Sequence, residues 1–190
     1  MAATKPDGLL PVPLLRQQNV CSCGLASMNM VFHFYGLNLP ERELEKNHLV
    51  RREFLQRHGF GPGRLGRIAL TYGYKVELIE PDDAEVGARF EKEGGRWLRR
   101  APAKADIEGC LASGVPTVAC IPDKSKAFEN CSHRGSHWVT VTGHRDGEFA
   151  IHDPAPWRKA VRCKPGYWES WGCSLIAISK SAELLSFLRH

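Results

Sequence analysis

Apolar residues recur at helical spacing in the first third of the chain and alternate along strands in the last third. Leu25, Met28, Phe32 and Tyr35 trace one helix that begins near Cys23 and stops at Gly36. Pro40 opens a second helix, with Glu41 and Glu43 in the first turn where the macrodipole favours carboxylates. Its pattern continues, broken, toward His58. "GFGPG" reads as a loop, and Leu65, Ile68, Ala69 and Tyr72 as a short third helix. "KVELIE" predicts a strand and "DDAEVGARFEKEG" a more exposed helix. "ADIEGCLASG" then predicts a short helix ahead of a buried strand, "VPTVACI". Residues 122–136 form a polar loop. "HWVTVTG" and "EFAIHD" alternate like paired strands, "SLIAIS" is a last strand, and "AELLSFL" a terminal helix. Residues 1–15, rich in proline and glycine, are an extended lead-in. Helices come mainly first and strands mainly later, which predicts an α+β fold. With no repeat, low-complexity tract or linker, one domain over 1–190 is expected.

The hairpin brings two polar side chains together. A two-residue loop at Arg145–Asp146, beside the Asp146–Gly147 turn signal, would set His137 against Pro154 and Trp138 against Asp153. His137, Val139 and Val141 share one strand face; Phe149, Ile151 and Asp153 share a face of the partner. These faces are apolar apart from His137 and Asp153. An imidazole and a carboxylate therefore meet at one end of a buried sheet face, where the carboxylate can fix the tautomer and stabilise imidazolium. Taken alone, such a pair is more often a strand-end hydrogen bond with no chemistry.

Composition narrows the function classes. A net charge of +5 is modest, and the clusters Arg51–Arg52 and Arg96–Arg100 read as a solvated face. No aromatic-basic ladder supports a nucleic-acid partner. No segment approaches the roughly 20 apolar residues of a membrane span, and "MAATKPDG" is no signal peptide. A cytoplasmic protein is expected, with export by a signal-less route left open. Seven cysteines, without a secretory signal, read as buried thiols rather than a disulfide framework. Cys131, His133 and His137, with Cys163 and Cys173 downstream, match no common zinc spacing. No metal or cofactor is expected.

The candidate nucleophile is Cys23. A cysteine attacks as thiolate, and the unpaired N–H groups of a helix N-terminus favour that anion. Gly24 behind it would leave room for substrate. Gln17, six residues upstream, could curl back and donate to an oxyanion. Cys23 could also simply begin a core helix. Trp138 reads as core, and Trp157, Trp168 and Trp171 as buried aromatics of the sheet.

"QQNVCSCGLASMNMVFHFYG" followed by "SHWVTVTGHRDGEFAIHDP" resembles the papain-like peptidases that process bacteriocin double-glycine leaders, and their free-standing relatives. The resemblance spans roughly residues 13–180. It implies a papain-like fold, an N-terminal helical lobe packed on a C-terminal antiparallel sheet. It also implies roles: Cys23 as nucleophile, His137 as base, Asp153 as its orienter and Gln17 as oxyanion donor. Gln18, one residue closer to Cys23, is an alternative donor. Cys21 lacks a following glycine and is a bystander or redox partner. The chain carries neither a transporter membrane domain nor a Walker-type phosphate loop, so coupled leader removal and export is not expected of it.

The expected function is a cysteine peptidase that cleaves a peptide or amide bond through a thioester, with a peptide or protein partner. Transfer of the acyl group to an amine, or glutamine deamidation, would use the same machinery. A catalytically idle peptide-binding module is the alternative from another class. Specificity would lie in loops 58–64 and 122–136.

Overall fold

The computed structural model describes residues 8–19, 21–48, 59–81, 84–121, 136–145, 147–155, 161–163 and 174–181. Three helices lead: α1 (Cys23–Phe34), α2 (Glu41–Asn47) and α3 (Pro62–Thr71). They are followed by β1 (Lys75–Ile79), α4 (Ala84–Lys92), β2 (Arg96–Leu98), α5 (Lys104–Ala112) and β3 (Thr117–Ile121). The chain continues through β4 (His137–Arg145), β5 (Glu148–His152), β6 (Val161–Cys163) and β7 (Ser174–Ser179). The α+β expectation holds. The proposed extension of α2 toward His58, the 122–135 loop, Trp157, Trp168, Trp171 and the terminal helix lie outside the described residues.

Among the described residues seven strands form one sheet in the order β2-β1-β7-β3-β4-β5-β6. β1 and β2 run parallel; every other described pairing is antiparallel. The sheet is buried on both faces. Val76, Leu78, Val118, Cys120, Trp138, Ile176 and Ile178 pack with Leu25, Met28, Leu44 and Leu65 of the leading helices. Ala119, Ile121, Val139, Val141, Ile151, Leu175 and Ala177 pack with Leu10, Val12, Ile107 and Cys110 on the other side. Double burial explains why "VPTVACI" and "SLIAIS" read as continuous apolar runs.

Three details differ from the sequence reading. The described lead-in has no helix and one β-bridge, and it is packed. Leu10 N–H donates to the Thr142 carbonyl at 2.8 Å, and Leu9 bridges Gly143 beyond the end of β3. A strand at Arg96–Leu98 lay hidden in what looked like a solvated basic cluster. Its Arg96 pairs at 3.0 Å with the buried Glu77 directly across β1, and Arg100 holds Asp106 through two bonds of 2.7 Å. Arg51–Arg52 lie outside the described residues.

The hairpin register is the third correction. Arg145 pairs with Glu148, so β4 runs through the expected loop residue Arg145, and Gly147 takes φ 80° just before β5. Three pairs further along, the register shifts: Val141 faces Ile151 while Gly143 faces Ala150, leaving Thr142 as an extra residue. That bulge decides side-chain parity. Without it, odd-numbered residues of β4 would face even-numbered ones of β5, and His137 and Asp153 would point to opposite sides. With it, both lie on the Val141–Ile151 face.

Candidate active site

Cys23 is the first residue of α1 and is half-buried. Ser22 precedes it as N-cap but makes no side-chain cap bond, so it does not take up the first-turn N–H groups. The helix is fixed against β4 by two hydroxyls. Ser27 Oγ donates to the Trp138 carbonyl at 3.1 Å, and Thr140 Oγ1 to the Ser27 carbonyl at 2.9 Å. Trp138, buried as expected, donates from Nε1 to the Phe60 carbonyl at 2.9 Å. Gly24 serves this packing rather than substrate access. A Cβ there would come within 2.9 Å of Leu65 Cδ1 and 3.0 Å of Trp138 Cδ1.

His137 opens β4, and Asp153 follows β5. Their closest approach is 2.8 Å, from His137 Nε2 to Asp153 Oδ1. Asp153 is fully buried, and the same oxygen accepts from Ala155 N–H at 2.8 Å. His137 is also hydrogen-bonded to Cys23. Burial disfavours a charged imidazole, but the bonds to Asp153 and Cys23 outweigh it and raise the histidine to about 10. The sulfur and imidazole, 114 residues apart in the chain (137 minus 23), thus meet in the fold.

Gln17 is tied to the same corner: its backbone N–H donates to the Pro154 carbonyl at 2.9 Å, and its side chain is buried. Its Nε2 donates to the Asn19 carbonyl at 2.8 Å. Gln18 is exposed. Cys21 is half-buried, and Cys21, Cys23, Cys110 and Cys120 are free thiols. Burial pushes the Cys110 thiol well up, so that cysteine is inert core. Cys131, His133 and Cys173 lie outside the described residues.

Sequence reasoning missed four residues here. Arg16 Nη1 donates to the carbonyls of Asp153 at 3.0 Å and Ala155 at 2.6 Å, fastening the segment that carries Gln17 to the corner that carries Asp153. Asn19, Glu41 and Glu45 form a polar cluster under the same segment. One signal was present. "ERELEKN" holds a single apolar residue, Leu44, and Glu41 lies one turn before it on the same face, so a helix packed through Leu44 draws Glu41 in with it.

The sequence profile of the Peptidase_C39 like family matches residues 9–175. The chain belongs to this family. Solved structures agree on the fold of this C39-like chain. The peptidase domain of Streptococcus ComA, a bifunctional ABC transporter of a quorum-sensing pathway, superposes with a TM-score of 0.58 at 16% identity, covering 90% of this chain and 99% of that one. A C39-like peptidase described from Bacillus anthracis gives 0.57 at 15% identity, covering 90% and 96%. A double-glycine-motif protease from an AMS/PCAT transporter, solved with its leader peptide, gives 0.54 at 18% identity, covering 93% and 96%. No curated protein sequence matches the chain. The C39-like chain therefore has the papain-like α+β fold that the resemblance implied. No helix among its described residues is long and apolar enough to cross a membrane.

Proposed function

We propose that this C39-like chain is an active cysteine peptidase with Cys23 as nucleophile. The observation that carries the reading is one imidazole, His137, bonded both to Asp153 and to Cys23. Nε2 is held by the carboxylate, which leaves Nδ1 as the nitrogen for the sulfur. The imidazolium, held charged to about 10, faces the sulfur as a counter-ion. The thiolate adds to the amide carbonyl carbon, and the C=O pair moves to oxygen. The Cys23 backbone N–H and the Gln17 side-chain amide donate to that oxyanion. Gln17 suits the role better than Gln18 because its side chain is turned inward. Collapse expels the amine, which takes its proton from His137, and leaves a thioester. Water then attacks with His137 as base, releasing the acid and restoring the thiol. A peptide is the fitting substrate, since a neighbour of this fold was solved with its leader peptide.

Iodoacetamide at pH 6 tests the reading. An ion-paired Cys23 should alkylate about tenfold to a hundredfold faster than a free thiol, and His137→Ala should abolish the advantage. Labelling at the rate of a free thiol would point to an idle peptide-binding module. Product masses from candidate peptides then separate hydrolysis from acyl transfer and deamidation.

A further inference from the structure

Glu41 and Glu45 lie one turn apart on α2, and both are buried. Neither makes an ion pair among the described residues. They grip the segment that leads into Cys23. Gln18 N–H reaches both oxygens of Glu41, at 3.2 and 3.3 Å, and Asn19 Nδ2 donates to Glu45 Oε1 at 2.7 Å. Ser22 lies fully buried just before Cys23, beside Glu41. The Asn19 carbonyl in turn receives the Ser22 N–H at 3.2 Å, the Ser22 hydroxyl at 3.0 Å and the Gln17 amide at 2.8 Å. The Gln17 amide thus meets the helix mouth through Asn19, which Glu45 holds.

We propose that Glu41, supported by Glu45, is a positioning residue that sets the Gln17 amide for the oxyanion. The inference rests on the peptidase reading above. A carboxylate accepts the Gln18 N–H on either oxygen, whereas a carboxylic acid or amide accepts less strongly and spends part of itself as a donor. Burial raises Glu41 to about 7, against the bonds from Ser22 and Gln18; Glu45, the like charge facing it, raises it further. The helix α1 packed on α2 brings Cys23 and His33, and His33 is occupied at the Leu39 carbonyl. The clamp is therefore charged above neutrality and slackens below it.

Two reactions of the full chain, in a Cys21→Ser background, separate clamp from nucleophile. Alkylation of Cys23 by iodoacetamide, mapped by mass, needs the thiolate and no oxyanion donor. Acylation by p-nitrophenyl acetate needs both: sulfur adds to the ester carbon, the oxyanion forms, and p-nitrophenolate leaves an acetyl thioester that water hydrolyses. Gln17→Ala should slow acylation about a hundredfold. Glu41→Gln should slow it about tenfold while alkylation stays within about twofold, and the double variant should be no slower than Gln17→Ala, since Glu41 acts through Gln17. In the unsubstituted background, which needs no folded Glu41 variant, the ratio of acylation to alkylation should fall as pH drops through about 7. In Glu41→Gln that ratio should be flat. Unchanged acylation in Glu41→Gln, equal slowing of both reactions, additive losses in the double variant, or a flat ratio in the background protein overturns the clamp and leaves the peptidase reading standing. No p-nitrophenolate burst above Cys23→Ala, together with slow alkylation, overturns both.

Discussion

His137 keeps a charge that burial alone would remove. Its partners raise it from an ordinary 6.5 to about 10, so the folded chain holds a proton there that the unfolded chain gives up earlier. The sign follows: the stabilisation is complete below about 6.5 and is lost as pH rises through about 10. Urea midpoints of the native chain and His137→Gln should differ more at pH 6 than at pH 10. Arg16 acts beside it by geometry. One guanidinium nitrogen serves two carbonyls of the Asp153 corner, and a methionine of similar reach serves neither. Arg16→Met should cost about 1–3 kcal/mol in urea unfolding and slow Cys23 alkylation as the corner loosens. Nothing in "RQQN" announces this. A long-range bond to a backbone carbonyl leaves no pattern in sequence.

At the scale of elements, the helix mouth at Cys23 was legible because helical periodicity starts there and Gly36 stops it. The strands that carry His137 and Asp153 were legible from alternation. Their register was not, because a bulge is set by what packs around it: Thr142 gives its carbonyl to Leu10, 132 residues earlier (142 minus 10). Gly24 shows competing magnitudes. Alanine would gain up to about 1 kcal/mol in helix propensity, but its Cβ would press on Leu65 and Trp138 inside a close-packed joint, at about 1–3 kcal/mol. Gly24→Ala should therefore lower the urea midpoint. The short β2 was invisible because its three residues, Arg96, Trp97 and Leu98, are too few to show alternation and stand among arginines, and its pairing partner Glu77 lies across a helix in the chain.

Across the whole molecule, strands β3 and β7 lie between two apolar layers, so neither layer can open without exposing the sheet. We propose on that basis that residues 1–190 act as one domain. Far-UV circular dichroism and tryptophan fluorescence should then report one coincident urea transition; two separate midpoints would refute it. The sequence by itself determined the fold class, the order of elements apart from β2 and β6, and the four candidate residues Gln17, Cys23, His137 and Asp153, because periodicity and short motifs are local in the chain. Only the tertiary structure decided that His137 touches both Asp153 and Cys23, that Gln17 rather than Gln18 turns inward, and that Arg16, Glu41 and Glu45 hold the segment between them. Those facts depend on register and on buried polar partners far apart in sequence, and both are fixed only when the layers pack.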